Sequence, residues 1–252
     1  MKLSLRQLFL SLFIFLLGVN PAFAFKLLPI SRTFAPSGAG ATQSYQVLND
    51  SNEKLAVTVS MSERQMDLTG KESYKEADDD FLVYPPQILL EPGEQQAVKV
   101  TWVGEAQPQK ELAYRIIAEQ VPVDLDKPQA NVTKPVGQIK VLLRYLGSVY
   151  IRPANVKPDV VMETIEPQKN ANGANELAFT LSNKGTAHAI LKNLQLHLTA
   201  GTTKVDLKPE QLKDISGANI LAGNKRRFVI PLPDGLPVGP VSATFDFEQP
   251  KD

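Results

Sequence analysis

The chain reads as an all-β protein, and three features of its 252 residues carry that reading. Its 19 prolines and 15 glycines cut it into short runs. The runs are rich in Val, Ile, Leu, Thr and Tyr, with apolar side chains at alternate positions, as half-buried strands require. No window of about a dozen residues keeps a helical period.

Residues Met1 to Ala24 stand apart from the fold. Lys2 and Arg6 precede an apolar run from Leu8 to Val19, Asn20 and Pro21 break it, and Ala22-Phe23-Ala24 supplies a small-x-small cleavage pattern. The apolar run is too short to cross about 30 Å of hydrocarbon as a helix. This predicts export with cleavage after Ala24, and a mature chain beginning at Phe25. Removing Lys2 and Arg6 leaves 25 basic against 27 acidic residues, a near balance that argues against nucleic acid as a partner. No cysteine is present, so apolar cores must hold the exported chain without disulfides.

Phe25 to Phe34 forms the first strand and holds Arg32; Ala35-Pro36-Ser37-Gly38 then turns the chain. Gln43 to Leu48 and Leu55 to Ser62 follow, joined by Asn49-Asp50-Ser51-Asn52, whose short polar side chains favour a turn. Asp67 to Asp80 is polar and ends in three consecutive aspartates. It lacks the alternating ligands and glycine of a calcium loop, and is read as a solvated surface loop. Phe81 to Val103 gives two strands about a Glu91-Pro92-Gly93-Glu94 turn. Pro85 and Pro86 cannot donate to a ladder, so the chain should switch sheets or lie at an edge there. In Glu111 to Val121 the row Leu112, Tyr114, Ile116 and Ala118 lies on one face, and Val123 to Gly137 is a long polar connection.

The most unusual strand is Gln138 to Pro153, QIKVLLRYLGSVYIRP. Alternation puts Ile139, Val141, Leu143 and Tyr145 on one side and Lys140, Leu142, Arg144 and Leu146 on the other. Both faces are largely apolar, yet two long cations sit among them. A central strand with snorkelling cations fits. So does a strand near a sheet edge that lends its apolar row and backbone groups to another protein. Beyond a boundary at Arg152-Pro153 to Pro158, six further strands (Val160 to Ile165, Leu177 to Ser182, Ala189 to Leu198, Thr203 to Leu207, Arg226 to Pro231, Val241 to Phe247) suit a second sandwich of about 95 residues.

Catalytic signals are thin. The two histidines, His188 and His197, would be about 30 Å apart on one unbroken strand, too far to share a metal, and each is read as a half-exposed strand residue. No phosphate loop or nucleophile elbow occurs. No enzyme activity, cofactor or metal is therefore expected. An exported carbohydrate-binding or adhesin module is the alternative; it needs a surface aromatic platform, and the single tryptophan, Trp102, reads as core.

The run Tyr84-Pro85-Pro86-Gln87 through Glu91-Pro92-Gly93 to Val98-Lys99-Val100 resembles the periplasmic pilus (fimbrial) chaperones of the PapD-like family. An early arginine, a Tyr-Arg strand ending in Val121-Pro122 and an alternating strand ending in Arg152-Pro153 agree in order. The resemblance covers Phe25 to Pro153 and is weak beyond. It implies two immunoglobulin-like β-sandwiches at an angle with a cleft between them, an N-terminal domain over 25–153 and a C-terminal domain over 154–252. It further implies a periplasmic chaperone that captures pilus subunits (pilins) by donor-strand complementation and passes them to an outer-membrane usher. The donor row would be Ile139, Val141, Leu143 and Tyr145. Two cleft cations would hold the subunit's C-terminal carboxylate: Arg32 matches the first, and an ungapped alignment puts Ser148 at the second. That leaves Arg144, then Lys140, as the candidates, unless a bulge near Gly147 re-registers the strand. Whether the free form self-associates is left open.

Overall fold

The computed structural model describes residues 25–122 and 141–250, and among them every long element is a strand. Among the described residues eighteen strands run in chain order, from β1 (Phe25–Leu28) and β2 (Ser31–Phe34) to β18 (Ser242–Glu248). The leader and the stretch 123–140, which includes Ile139 and Lys140, lie outside the described residues.

Two sheets build the N-terminal sandwich. One has the order β1, β3 (Thr42–Asn49), β8 (Gln95–Trp102), β6 (Phe81–Tyr84). The other has the order β2, β10 (Arg144–Ile151), β9 (Leu112–Val121), β4 (Leu55–Met66), β5 (Glu72–Glu76), with β7 (Gln87–Leu90) also on β4. Their inner faces close on a core that includes Phe25, Tyr45, Met61, Val100, Ile116 and Ile151. Trp102 is in it, edge-on to Phe81 at 5.0 Å, so the chain's one indole is no surface platform.

Prolines at two sites mark where the chain changes sheets. Pro85 and Pro86 separate β6, which pairs with β8, from β7, which pairs with β4, so the chain changes sheets where the sequence lacks ladder donors. The leading segment, expected as one strand, changes sheets as well. At Pro29 the ladder of β1 with β3 stops, and β2 runs parallel to β10 instead. The segment 67–80, expected as a solvated loop, folds back as β5 against the end of β4. A charge run reads as solvent-facing when the strand it returns to cannot be seen.

The C-terminal half has its own core, including Leu177, Phe179, Leu194, Leu196, Ile220 and Phe228. It lies between the sheet β11 (Val160–Lys169), β12 (Asn175–Asn183), β17 (Lys225–Pro231) and the sheet β15 (Thr203–Leu207), β14 (Lys192–Ala200), β18; β13 (Ala189–Ile190) and β16 (Asn219–Ile220) form a short ribbon. Each half fixes one strand end with a buried asparagine. Asn49 Nδ2 donates to the carbonyls of Glu53, Leu90 and Glu91, and Asn183 Nδ2 to those of Ala187, Ile220 and Leu221. Buried amides of this kind persist because every donor is met. None of the described helices is long and apolar enough to cross a membrane.

Candidate interface: the half-bare edge of β10 and the cleft behind it

Strand β10 is flanked on both sides over only half its length. Its ladder with β9 runs unbroken from Arg144 opposite Glu119 to Ile151 opposite Leu112, with no bulge at Gly147. On its other side β2 covers Ser148 to Ile151 alone. Backbone polar groups alternate sides along a strand. The Leu143 carbonyl accepts from Gln120 on β9, whereas Ser148 N–H donates to Ile30 on the opposite side. The N–H and C=O groups of Arg144 and Leu146 therefore point, like those of Ser148, away from β9. Among the described residues no strand pairs with them there.

The side chains divide as the alternation requires. Leu143 and Tyr145 lean on the N-terminal core, Tyr145 edge-on to Phe25 at 4.9 Å, and neither is fully buried. Val141 is 74% exposed and Leu142 45%. Exposed Leu28 and Ile30 stand where the leading segment changes sheets. The bare edge is thus bordered by apolar side chains.

The predicted anchor residues are not brought together. Arg32 pairs with Val149, a core-facing position, so it lies on the inner side of the sheet. Its Nη2 donates to the Ser44 carbonyl at 3.3 Å, and among the described residues its Nε is buried without a partner. The phenol of Tyr45 lies close by; burial pushes its pKa up against the pull of Arg32. Arg144 lies on the outer face, half-exposed, 3.7 Å from Glu119. It is five positions along β10 from the residue opposite Arg32, about 17 Å at the usual strand rise. Alternation fixes faces only within one strand, and the sheet change at Pro29 reset the face of Arg32.

The cations in the cleft are others. Across the outer face, Ser148 on β10 lies opposite Arg115 on β9, which lies opposite Ser62 on β4, two residues from Arg64. Arg115 Nη1 donates to Ser148 Oγ at 2.6 Å. A guanidinium from the neighbouring strand thus fills the place where the resemblance implies a cation on β10 itself. Arg115 and Arg64 converge on Glu72 of β5. Arg115 Nε and Nη2 reach its carboxylate at 2.7 to 3.0 Å, Arg64 Nε donates at 2.9 Å, and Tyr74 OH adds a bond of 2.9 Å. Burial pushes the Glu72 carboxyl up, but Arg115 and Arg64 outweigh it and hold it at about 2. Arg64 Nη1 also donates to Tyr150 OH, which accepts from Asn219 Nδ2 of the C-terminal half. Alternation on β9 placed Arg115 opposite its core-facing row; that was the available signal. Arg64 and Glu72 carried none, since their pairing depends on the hairpin between β4 and β5.

Below this cluster the halves are tied by Glu111. Its carboxylate accepts from Arg152 Nε at 2.6 Å and from His188 N–H at 3.0 Å, and lies 2.6 Å from His188 Nδ1. Tyr150 stacks on the His188 ring at 4.0 Å. His188, read from sequence as half-exposed, is buried here; His197 lies elsewhere, between Asp206 and Asp246. A groove of about 310 Å³ runs beside the contact, lined by residues such as Arg64, Met66, Leu112, Leu221 and Asn224. Among the described residues no group of three or more His, Asp or Glu is placed to hold a metal.

Comparison with known proteins agrees with this architecture. Residues 33–157 match the model of the pili and flagellar-assembly chaperone PapD N-terminal domain. No curated protein sequence matches. Among solved structures, the CsuC-CsuE chaperone and tip subunit pre-assembly complex from the Csu pili of Acinetobacter baumannii aligns at TM-score 0.56 and 16% identity, over 84% of this chain and 89% of that one. The Salmonella enterica SafA pilin complex with the SafB chaperone gives 0.52 at 17% identity, over 84% and 86%. The E. coli chaperone DraB gives 0.51 at 19%, also over 84% and 86%. At these identities the likeness is one of fold: two immunoglobulin-like sandwiches.

Proposed function

Since the chain belongs to the PapD-like family of pilus-assembly chaperones, we propose that it binds pilus subunits in the periplasm by donor-strand complementation and delivers them to an outer-membrane usher. The observation that carries this reading is the half-bare edge of β10. A subunit lacking one strand of its own sandwich presents unpaired edges and an apolar groove, a state prone to aggregate. The outward N–H and C=O groups of Arg144 and Leu146 add the missing ladder. Val141, Leu143 and Tyr145 supply the apolar row; Ile139, the fourth donor expected from sequence, lies outside the described residues. Each side chain fully covered contributes about 1.5 to 3 kcal/mol.

The subunit's C-terminal carboxylate is received on the outer face, where Arg115 stands over Ser148 with Arg64 beside it. Charge-assisted bonds to guanidinium are worth about 1.5 to 3 kcal/mol each, and here they would set the register of the added strand. Arg144, about 13 Å up the same face, borders the approach; Arg32 braces the inner side.

The test is Leu146→Pro, which deletes one outward N–H and leaves the ladder with β9 untouched. Co-expressed with a pilus subunit that the unchanged chain recovers, the variant should fold, by circular dichroism, yet recover less than a tenth as much of that subunit. Undiminished recovery would mean that this edge is not what the subunit uses.

A further inference from the structure

Glu72 occupies the anion position of the arginine pair. It sits on β5, a strand whose other residues, Ser73 to Glu76, are exposed and which, among the described residues, lies at the sheet's edge and pairs only with the end of β4. Its carboxylate nevertheless turns inward, takes every donor that Arg115 aims across the outer face apart from the Nη1 bound to Ser148, and leaves the pair only slightly open to solvent: the Arg64 side chain is 5% exposed, Arg115 14% and Glu72 16%.

Charge around it is lopsided. Arg226 stands near enough to feel the charges of Arg64 and Glu72, so the half-buried Glu72 lies among three guanidiniums, two of which bond to it, with exposed Asp67 at the hairpin turn as another nearby acid. Among the described residues, Arg226 Nε and Asn219 Oδ1 are buried without partners. The hairpin that carries Glu72 also touches the C-terminal half: the Leu68 carbonyl accepts from Arg227 N–H at 2.7 Å, and the Thr69 carbonyl from Arg226 Nη2 at 3.3 Å.

We propose that Glu72 is a built-in competitor for the arginine pair, holding Arg64 and Arg115 in the free chain and displaced when the C-terminal carboxylate of an extended peptide arrives. This rests on the donor-strand reading for the identity of the peptide, and the displacement itself is intramolecular chemistry of this chain. A tethered carboxylate acts at an effective concentration in the millimolar range. It thereby screens out free small carboxylates, and yields only to one whose strand is also being zipped onto β10. Release of Glu72 frees the hairpin, so occupation of the site is transmitted to the contacts at Leu68 and Thr69.

The experiment uses the mature chain and two probes: acetate, and a short peptide with a free C-terminal carboxylate against its C-terminal amide. Binding is followed through the Arg Nε–Hε resonances. Glu72→Gln should bind acetate and the acid peptide at least tenfold more tightly than the unchanged chain, with no gain for the amide, and Arg115→Gln in that background should erase the gain. In the unchanged chain, saturation with the acid peptide should move the Glu72 carboxyl carbon resonance toward that of a free carboxylate; this arm stands even if Glu72→Gln does not fold. A folded Glu72→Gln chain with no gain would overturn the proposal, as would a Glu72 resonance that stays put at saturation. Either failure is separable from the donor-strand reading, which Leu146→Pro tests through subunit recovery without reference to Glu72.

Discussion

At the scale of single residues, the cleft is governed by how few anions it holds. Glu72 is kept ionised at about 2 by Arg115 and Arg64 against the cost of burial. A carboxyl with a folded pKa below its ordinary value stabilises the fold above that ordinary value, and the contribution fades as pH falls through the folded one. Acid unfolding followed by tryptophan fluorescence should therefore show a loss of stability between about pH 4.5 and 2 that is shallower in Glu72→Gln. An unchanged slope would mean that the carboxylate is not the group lost. Arg115→Gln should cut subunit recovery tenfold or more, while Arg32→Ala, a substitution on the inner face, should cut it far less. Equal losses, measured by co-purification, would return Arg32 to the anchor. Arg32 was legible as an early cation on the leading strand, and Arg115 as half of a Tyr-Arg pair. Which of them faces the cleft was not, because that depends on the sheet change at Pro29. Glu72 was hidden in a polar stretch whose return to β4 leaves no periodic trace.

At the scale of elements, Gly147 marks the point where β10 passes from the bare half to the covered half. A Cβ there would meet Ile116 Cγ2 at 2.6 Å and the Ile30 carbonyl at 3.2 Å. Gly147→Val should accordingly destabilise the chain by about 1 to 3 kcal/mol, the usual cost of overpacking, read from urea unfolding. An unaltered midpoint would show that β2 and β9 can part there. The strands were largely legible: the core-facing row of β9 is Leu112, Tyr114, Ile116 and Ala118, as alternation predicts, and the sheet change at Pro85 and Pro86 followed from missing N–H groups. Alternation also placed Leu143 and Tyr145 on one side of β10. It could not show that this side leans partly on the chain's own core, since a row of apolar side chains is the same whether its cover is internal or borrowed.

At the scale of the whole molecule, the two cores are joined by contacts that include a buried ion pair and the stacking of Tyr150 on His188. Burial pushes the Glu111 carboxyl up, and its bonds to His188 and Arg152 bring it net below the ordinary range. The interdomain tie is therefore complete above about pH 4.5 and weakens as pH falls below it. Removing a partner from such a buried group leaves uncompensated charge. Glu111→Ala should split a single calorimetric transition into two and enlarge the radius of gyration in solution scattering; one transition with unchanged dimensions would mean that the hairpin contacts at Leu68 and Thr69 suffice. Two cores on either side of Pro153 were legible from strand count and proline spacing, whereas the tie was not, because Glu111, Arg152 and His188 are far apart in the chain and meet only when the sandwiches are docked. The early departure of the leading strand from β10 has a last consequence. It leaves a gap of four residues, Arg144 to Gly147, roughly 13 Å long, closed at one end by Ile30 and, among the described residues, unpaired along its length. On the donor-strand proposal, an incoming strand would halt at that stop, so the length of the gap and the arginine pair beyond it would together decide which phase is accepted.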